Sequence, residues 1–118
     1  MDQKTLFQKI DQTDSYTSEY KQKLKDAYIF FSKKGYFFRE HALNRFLGQK
    51  SGKDKFQFSQ EVLIDVLGKE YNYRQPDGKL VRFYHNIAVI AASDTGEIVS
   101  IVVRNRPKAD WRDFDDKK

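Results

Sequence analysis

The stretch from residue 79 to residue 104 constrains the fold most, because it is dense in Val, Ile, Phe and Tyr and contains no proline. Its one interruption is the Asp-Thr-Gly sequence at 94–96, which predicts a hairpin turn between two β-strands. The Gln-Pro-Asp-Gly sequence at 75–78 predicts a second turn, which folds residues 71–74 back as a further strand. The sequence therefore predicts an antiparallel β-meander of about three to four strands.

Helices are predicted before these strands, at about residues 2–12, 16–34, 37–48 and 59–67. Asp14 and Ser15 offer an N-cap to the longest of them, and Ser59 offers one to the last. Because the helices precede the strands without βαβ alternation, the predicted fold class is α+β. We expect the N-terminal helices to pack on one face of the C-terminal antiparallel meander.

Strand periodicity predicts which side chains share a face of the sheet. If Asp94 pairs with Glu97, one face is wholly apolar and takes the helices: Ala88, Ile90, Ala92, Val99, Ile101 and Val103. Ser100 and Arg104 then lie on the opposite, partly open face. The pattern does not fix the face of Arg82, Tyr84 and His85, because a bulge near Asn86 would shift them.

Length and composition predict a single domain in which residues 1–36 form a helical segment, 37–108 the α+β core and 109–118 an acidic tail. The chain has no cysteine and two histidines, so we expect neither a metal site nor a cofactor. No apolar run approaches the roughly 20 residues that span a bilayer, and the first residues do not resemble a signal peptide. We expect no membrane association.

The formal net charge is +5, and the predicted sheet region is basic. Residues 71–108 contain three acidic residues against six basic ones: Arg74, Lys79, Arg82, Arg104, Arg106 and Lys108. A basic sheet attracts a polyanion such as RNA, although the same charges could simply keep the surface soluble. The sequence leaves both explanations open.

Polar side chains suited to RNA chemistry are also present. His41 and Arg45 are four residues apart on the predicted third helix, so they project from one edge of its apolar face. Arginine binds phosphate, histidine transfers protons near neutral pH, and tyrosine stacks on a base. Each residue also has an ordinary explanation: a surface histidine, a strand hydroxyl at Ser100, or edge-of-sheet cations at Arg82 and Arg104.

Three segments together resemble a known family: His-Ala-Leu-Asn-Arg-Phe-Leu-Gly at 41–48, Arg-Phe-Tyr-His-Asn-Ile-Ala-Val at 82–89, and Thr-Gly-Glu-Ile-Val-Ser-Ile at 95–101. About residues 37–106 resemble the barnase/EndoU/colicin/RelE-like ribonuclease fold, in the form of toxin modules from phage-associated and polymorphic toxin proteins. Two departures are the Gln49–Gln57 loop, which is longer than in relatives, and Ser100, where threonine is more common.

The resemblance implies a metal-independent endoribonuclease that cleaves RNA by 2′-hydroxyl attack. It assigns catalysis to His41, Arg45 and Ser100, which we expect to share a cleft with Arg104. It assigns substrate binding to Arg82, Tyr84, His85 and Arg104. It also implies an RNA substrate (transfer RNA is one candidate), a neutralising immunity or antitoxin protein, action in the cytoplasm and delivery by a larger secreted or phage-borne protein.

Two other functions fit the same residues. A non-catalytic nucleic-acid-binding module would use the basic sheet without cleaving RNA. A protein-interaction domain, such as an immunity or adaptor protein, would use the acidic tail and the exposed aromatic residues.

Overall fold

The computed structural model describes residues 2–48 and 59–114, and there it has four α-helices followed by an antiparallel sheet of five strands. The helices are α1 (Gln3–Asp11), α2 (Ser18–Ser32), α3 (Glu40–Phe46) and α4 (Gln60–Leu67). The strands are β1 (Tyr73–Arg74), β2 (Leu80–Tyr84), β3 (Ile87–Ala91), β4 (Ile98–Val103) and β5 (Arg112–Asp113). The predicted α+β class is confirmed. The predicted Gln49–Gln57 loop and the end of the acidic tail lie outside the described residues.

Local capping explains where two of the helices begin. The α2 helix starts two residues later than predicted, because the side chain of Thr17, rather than Asp14 or Ser15, accepts a hydrogen bond from the Tyr20 backbone N–H. Ser59 caps α4 as predicted, since its hydroxyl accepts from the Val62 N–H.

A tight turn at His85 and Asn86 divides the long strand predicted upstream of residue 94. Tyr84 pairs directly with Ile87, so the loop has two residues, and these have φ angles of 56° and 62°. Positive φ at both positions is the requirement of a type I′ hairpin turn. Histidine and asparagine are among the non-glycine residues that tolerate this region. The turn makes two strands, β2 and β3, where one long strand was predicted, so the meander β1–β4 has four strands, at the upper end of the predicted range.

The predicted register between β3 and β4 is wrong by one residue. Ile90, not Ala91, pairs with Ser100, and the register shifts again so that Ala91 pairs with Ile98. The extra residue is Val99, which forms a β-bulge. The face of the sheet under the helices consequently carries Ile87, Val89, Ala91, Ile98 and Ile101, and not the predicted set with Ala88 and Ile90.

The strand order in the sheet is β4-β3-β2-β1-β5, so the chain must cross from one edge to the other after β4. Residues 104–111, the crossing segment, make this passage over the face that lies away from the helices. Trp111 ends the segment and is buried against Val81, Ala88 and Ile90.

The helices and the sheet share one hydrophobic core. Leu6 in α1 and Leu24 in α2 are fully buried in the same cluster as Val89 of β3. The ring of Phe31 stacks on Phe38 at 4.3 Å between centroids and meets Phe46 edge-on at 5.1 Å. The N-terminal helical segment 1–36 is thus packed into the same core as the rest of the domain.

Replacing Phe31 with alanine should destabilise the protein by about 3–5 kcal/mol, because it opens a cavity beneath the helices. The measurement is denaturant unfolding of the wild type, Phe31→Ala and the exposed-site control Lys33→Ala. The control should stay within about 0.5 kcal/mol of the wild type. A loss below about 1 kcal/mol for Phe31→Ala would contradict the packing described here.

Candidate active site

A pocket of about 670 Å³ lies between α4 and the β2–β3 turn. The lining comes from α4 and its N-cap, from the turn, and from the start of β3 and the end of β4: Ser59, Glu61, Val62, Asp65, His85, Asn86, Ile87 and Val103. The apolar walls of the pocket are formed by Val62, Ile87 and Val103. The other lining residues supply polar atoms. This size and this mixture are typical of small-ligand sites in proteins.

His85 and Asp65 form a hydrogen-bonded pair in this pocket. The His85 Nε2 atom lies 2.8 Å from the Asp65 Oδ2 atom, and each side chain is about half exposed. With Asp65 ionised, Nε2–H is the donor, which leaves the Nδ1 lone pair of His85 available as a base. A histidine held by a carboxylate at the edge of a pocket is suited to general acid–base catalysis.

The hairpin turn places His85 where it can meet α4. Asp65 lies on the side of α4 that faces the start of β3, and the two-residue turn holds His85 beside it. The left-handed backbone of a non-glycine residue costs on the order of 1 kcal/mol. The type I′ turn requires this conformation, and its effect is to present the His85 side chain beside α4.

Cations and aromatic rings surround the pair on its other side. Lys69, one helical turn after Asp65, places its Nζ atom 3.7 Å from Oδ2 and 5.6 Å from the centroid of the Tyr84 ring. Arg82 donates from Nε to the Lys69 carbonyl at 2.8 Å, and its buried Nη1 makes no hydrogen bond with the described residues. Three of the predicted substrate-binding residues, Arg82, Tyr84 and His85, are therefore brought together near the end of α4.

The hydrogen bond from His85 lowers the pKa of Asp65, and the nearby charge of Lys69 adds to the effect. The carboxylate consequently stays ionised at neutral pH and keeps His85 in one orientation. Glu61 also lines the pocket, so the site contains carboxylates as well as cations.

The other predicted site residues lie elsewhere. His41 is exposed on α3, and Arg45 is half-buried one turn along the same helix. Ser100 pairs with Ile90 on the sheet face away from the helices. Arg104 is on that same face, where its guanidinium lies 5.9 Å from the centroid of the Trp111 ring.

The predicted cleft shared by His41, Arg45, Ser100 and Arg104 is therefore not formed. The reason is that α3 packs against the β4 face that contains Ile98 and Ile101, whereas Ser100 points to the opposite face. The structure separates the set into two pairs, and the catalytic roles assigned by the resemblance stay predictions.

The sequence prediction missed Asp65 and Lys69. Asp65 lies in the predicted helix 59–67 and Lys69 lies just beyond it, a four-residue spacing of opposite charges that is common on solvated helix faces. The contact with His85 spans 20 residues of sequence and depends on the turn at 85–86, which the sequence prediction did not place.

Comparisons of the chain with protein-family models, with curated proteins and with solved structures found no match. The ribonuclease resemblance therefore depends on the sequence motifs of residues 37–106. In the described ranges, 2–48 and 59–114, no helix is both long enough and apolar enough to cross a membrane. The same ranges contain no group of three or more His, Asp or Glu side chains that could hold a metal ion.

Replacing His85 with alanine should raise the pKa of Asp65 toward its ordinary value of 3.8, because the main cause of its depression is removed. Titration of the carboxyl carbons by NMR measures this pKa. Because the pKa of Asp65 is lower in the folded protein than in the unfolded chain, the pair stabilises the fold at pH values above the unfolded-state pKa. This stabilisation is lost as the pH falls through the lower, folded-state pKa.

Asp77 provides the matched control, because hydrogen bonds from Lys79 lower its pKa. Its titration should be the same in both proteins. An unchanged Asp65 titration in His85→Ala would show that the two side chains do not interact in solution.

Proposed function

We propose that this chain is a metal-independent endoribonuclease whose acid–base residue is His85. The observation that supports this most is the 2.8 Å contact between His85 Nε2 and Asp65 Oδ2 at the pocket. An imidazole held in place by a carboxylate is a common general base for a hydroxyl proton in enzymes. The net positive charge of the chain and the nearby Lys69 and Arg82 are consistent with a polyanionic substrate.

The proposed reaction begins when His85 Nδ1 accepts the proton of a ribose 2′-hydroxyl. The 2′ oxygen attacks the adjacent phosphorus, and the bond from phosphorus to the 5′ oxygen breaks. The leaving 5′ oxygen takes a proton from water, the hydroxide so formed takes the proton back from the His85 imidazolium, and the product ends in a 2′,3′-cyclic phosphate. Asp65 stabilises the imidazolium formed in the first step, and Lys69 stabilises the negative charge that develops on the phosphate.

The biological setting follows the resemblance. We propose that the chain acts as a toxin on RNA in the cytoplasm, is neutralised by a dedicated immunity or antitoxin protein, and is delivered by a larger secreted or phage-borne protein. Transfer RNA is one candidate substrate. His41, Arg45 and Ser100 remain the rival catalytic set, because the resemblance assigns catalysis to them.

Cleavage of total RNA and transfer RNA by wild type, His85→Ala, Asp65→Asn and His41→Ala tests the proposal. Loss of a general acid–base residue should reduce the rate of His85→Ala by about 10²–10⁴-fold. The cleavage rate of Asp65→Asn should fall less than that of His85→Ala, because the imidazole is still present. The cyclic phosphate end identifies the 2′-hydroxyl mechanism.

Each outcome has a separate meaning. If His41→Ala is inactive and His85→Ala is not, catalysis belongs to the set assigned by the resemblance. If the wild type binds RNA but leaves it intact, the chain is a non-catalytic binding module. If the wild type does neither, the endoribonuclease proposal is wrong and a role in protein interaction becomes the better explanation.

A further inference from the structure

Two neighbouring aromatic rings with an arginine at each end form a row across one edge of the sheet. The Arg74 guanidinium carbon lies 5.1 Å from the centroid of the Phe114 ring. The Phe114 and Tyr71 rings are 5.7 Å apart, and the Arg82 guanidinium carbon lies 4.1 Å from the Tyr71 centroid. We call Arg74, Phe114, Tyr71 and Arg82 the cation–aromatic row.

The row lies on the helix side of the sheet, beyond the area that the helices cover. Arg74 pairs with Leu80, which in turn pairs with Ala91 of the core under the helices, so these side chains share a face. The principal contacts of α3 are with β4, and those of α4 are with β2 and β3. Tyr71 packs against the edge of that core, whereas Arg74 and Phe114 lie further out and are partly exposed to a ligand.

The two arginines of the row, together with Arg112 beside Arg74, concentrate positive charge on this side of the sheet. Among the described residues, Arg74 and Arg82 form no ion pair, and neither does Arg112, which pairs with Arg74 on the neighbouring strand. Asp113, the other residue of β5, pairs with Tyr73 and so points to the opposite face. Lys69 connects the row to the site, since its carbonyl accepts from Arg82 and its Nζ atom lies 3.7 Å from Asp65.

We propose that the cation–aromatic row binds single-stranded RNA and guides it toward His85. Rings and guanidinium planes stack on bases of any sequence, while the arginine N–H groups bind phosphates. Only unpaired bases can stack in this way, which selects single strands over duplexes. The row crosses three neighbouring strands, a width comparable to sheets that hold about two or three bases. The guidance toward a scissile bond rests on the proposed function, but the binding does not.

The test is fluorescence anisotropy with a labelled 2′-O-methyl RNA strand of about ten nucleotides, which 2′-hydroxyl attack cannot cleave. Arg74→Ala and Phe114→Ala should each weaken the Kd by about tenfold, since stacking contributes roughly 1–3 kcal/mol per base. Arg74→Ala should also reduce the slope of log K against log salt by about 0.7. Arg74→Lys, which retains the charge without the planar group, should give an intermediate Kd.

Two matched controls lie away from the row. Arg106→Ala removes an exposed arginine from the crossing segment, and Phe37→Ala removes a phenylalanine that is 48% exposed. Both should bind as the wild type does. Thermal unfolding of every variant verifies that it is folded. If Phe114→Ala does not fold, Arg74→Lys still tests the row.

Wild-type affinity in Arg74→Ala and in folded Phe114→Ala would overturn the proposal. So would equal affinity for a duplex of the same sequence, or no binding at low salt. The binding test of the row can succeed even where the endoribonuclease proposal fails. Loss of binding in the row variants, with intact RNA after incubation with the wild type, would support the row and reject cleavage.

Discussion

The packing of β3 between two layers is the constraint on which the rest of the structure depends. All five of its residues, Ile87–Ala91, are buried, with alternate side chains pointing to opposite faces. Ile87, Val89 and Ala91 pack beneath the helices, while Ala88 and Ile90 pack beneath Trp111. A strand buried on both faces leaves no room for polar chemistry within it. Functional groups are therefore confined to its ends and to the strands beside it.

This confinement explains why the candidate groups lie where they do. His85 stands at the turn that leads into β3, so it is held by a rigid strand but remains exposed to a substrate. The cation–aromatic row lies at the opposite edge from β4, where the helices do not cover the sheet. Lys69 links the two, because its backbone contacts Arg82 and its ammonium approaches Asp65. The proposed binding surface and the proposed proton-transfer group thus adjoin one another.

Features encoded by neighbouring residues could be predicted from the sequence, and features that depend on distant contacts could not. The helices, the turn at 94–96 and the α+β class follow from periodicity and turn residues. The turn at His85 and Asn86 was missed because it lacks the glycine that usually marks positive φ. The bulge at Val99 changed the β3–β4 register without any sign in composition. The Asp65–His85 contact needed the tertiary fold.

The crossing segment has a consequence for folding during synthesis. Val81, Ala88 and Ile90 are covered by Trp111, which is translated after every strand residue up to β4. A nascent chain that has emerged from the ribosome only as far as residue 103 can pair β2, β3 and β4, yet it exposes the apolar underside of that sheet. Closure of this surface must wait for Trp111, so a chain that has folded only this far presents an apolar sheet face to other chains.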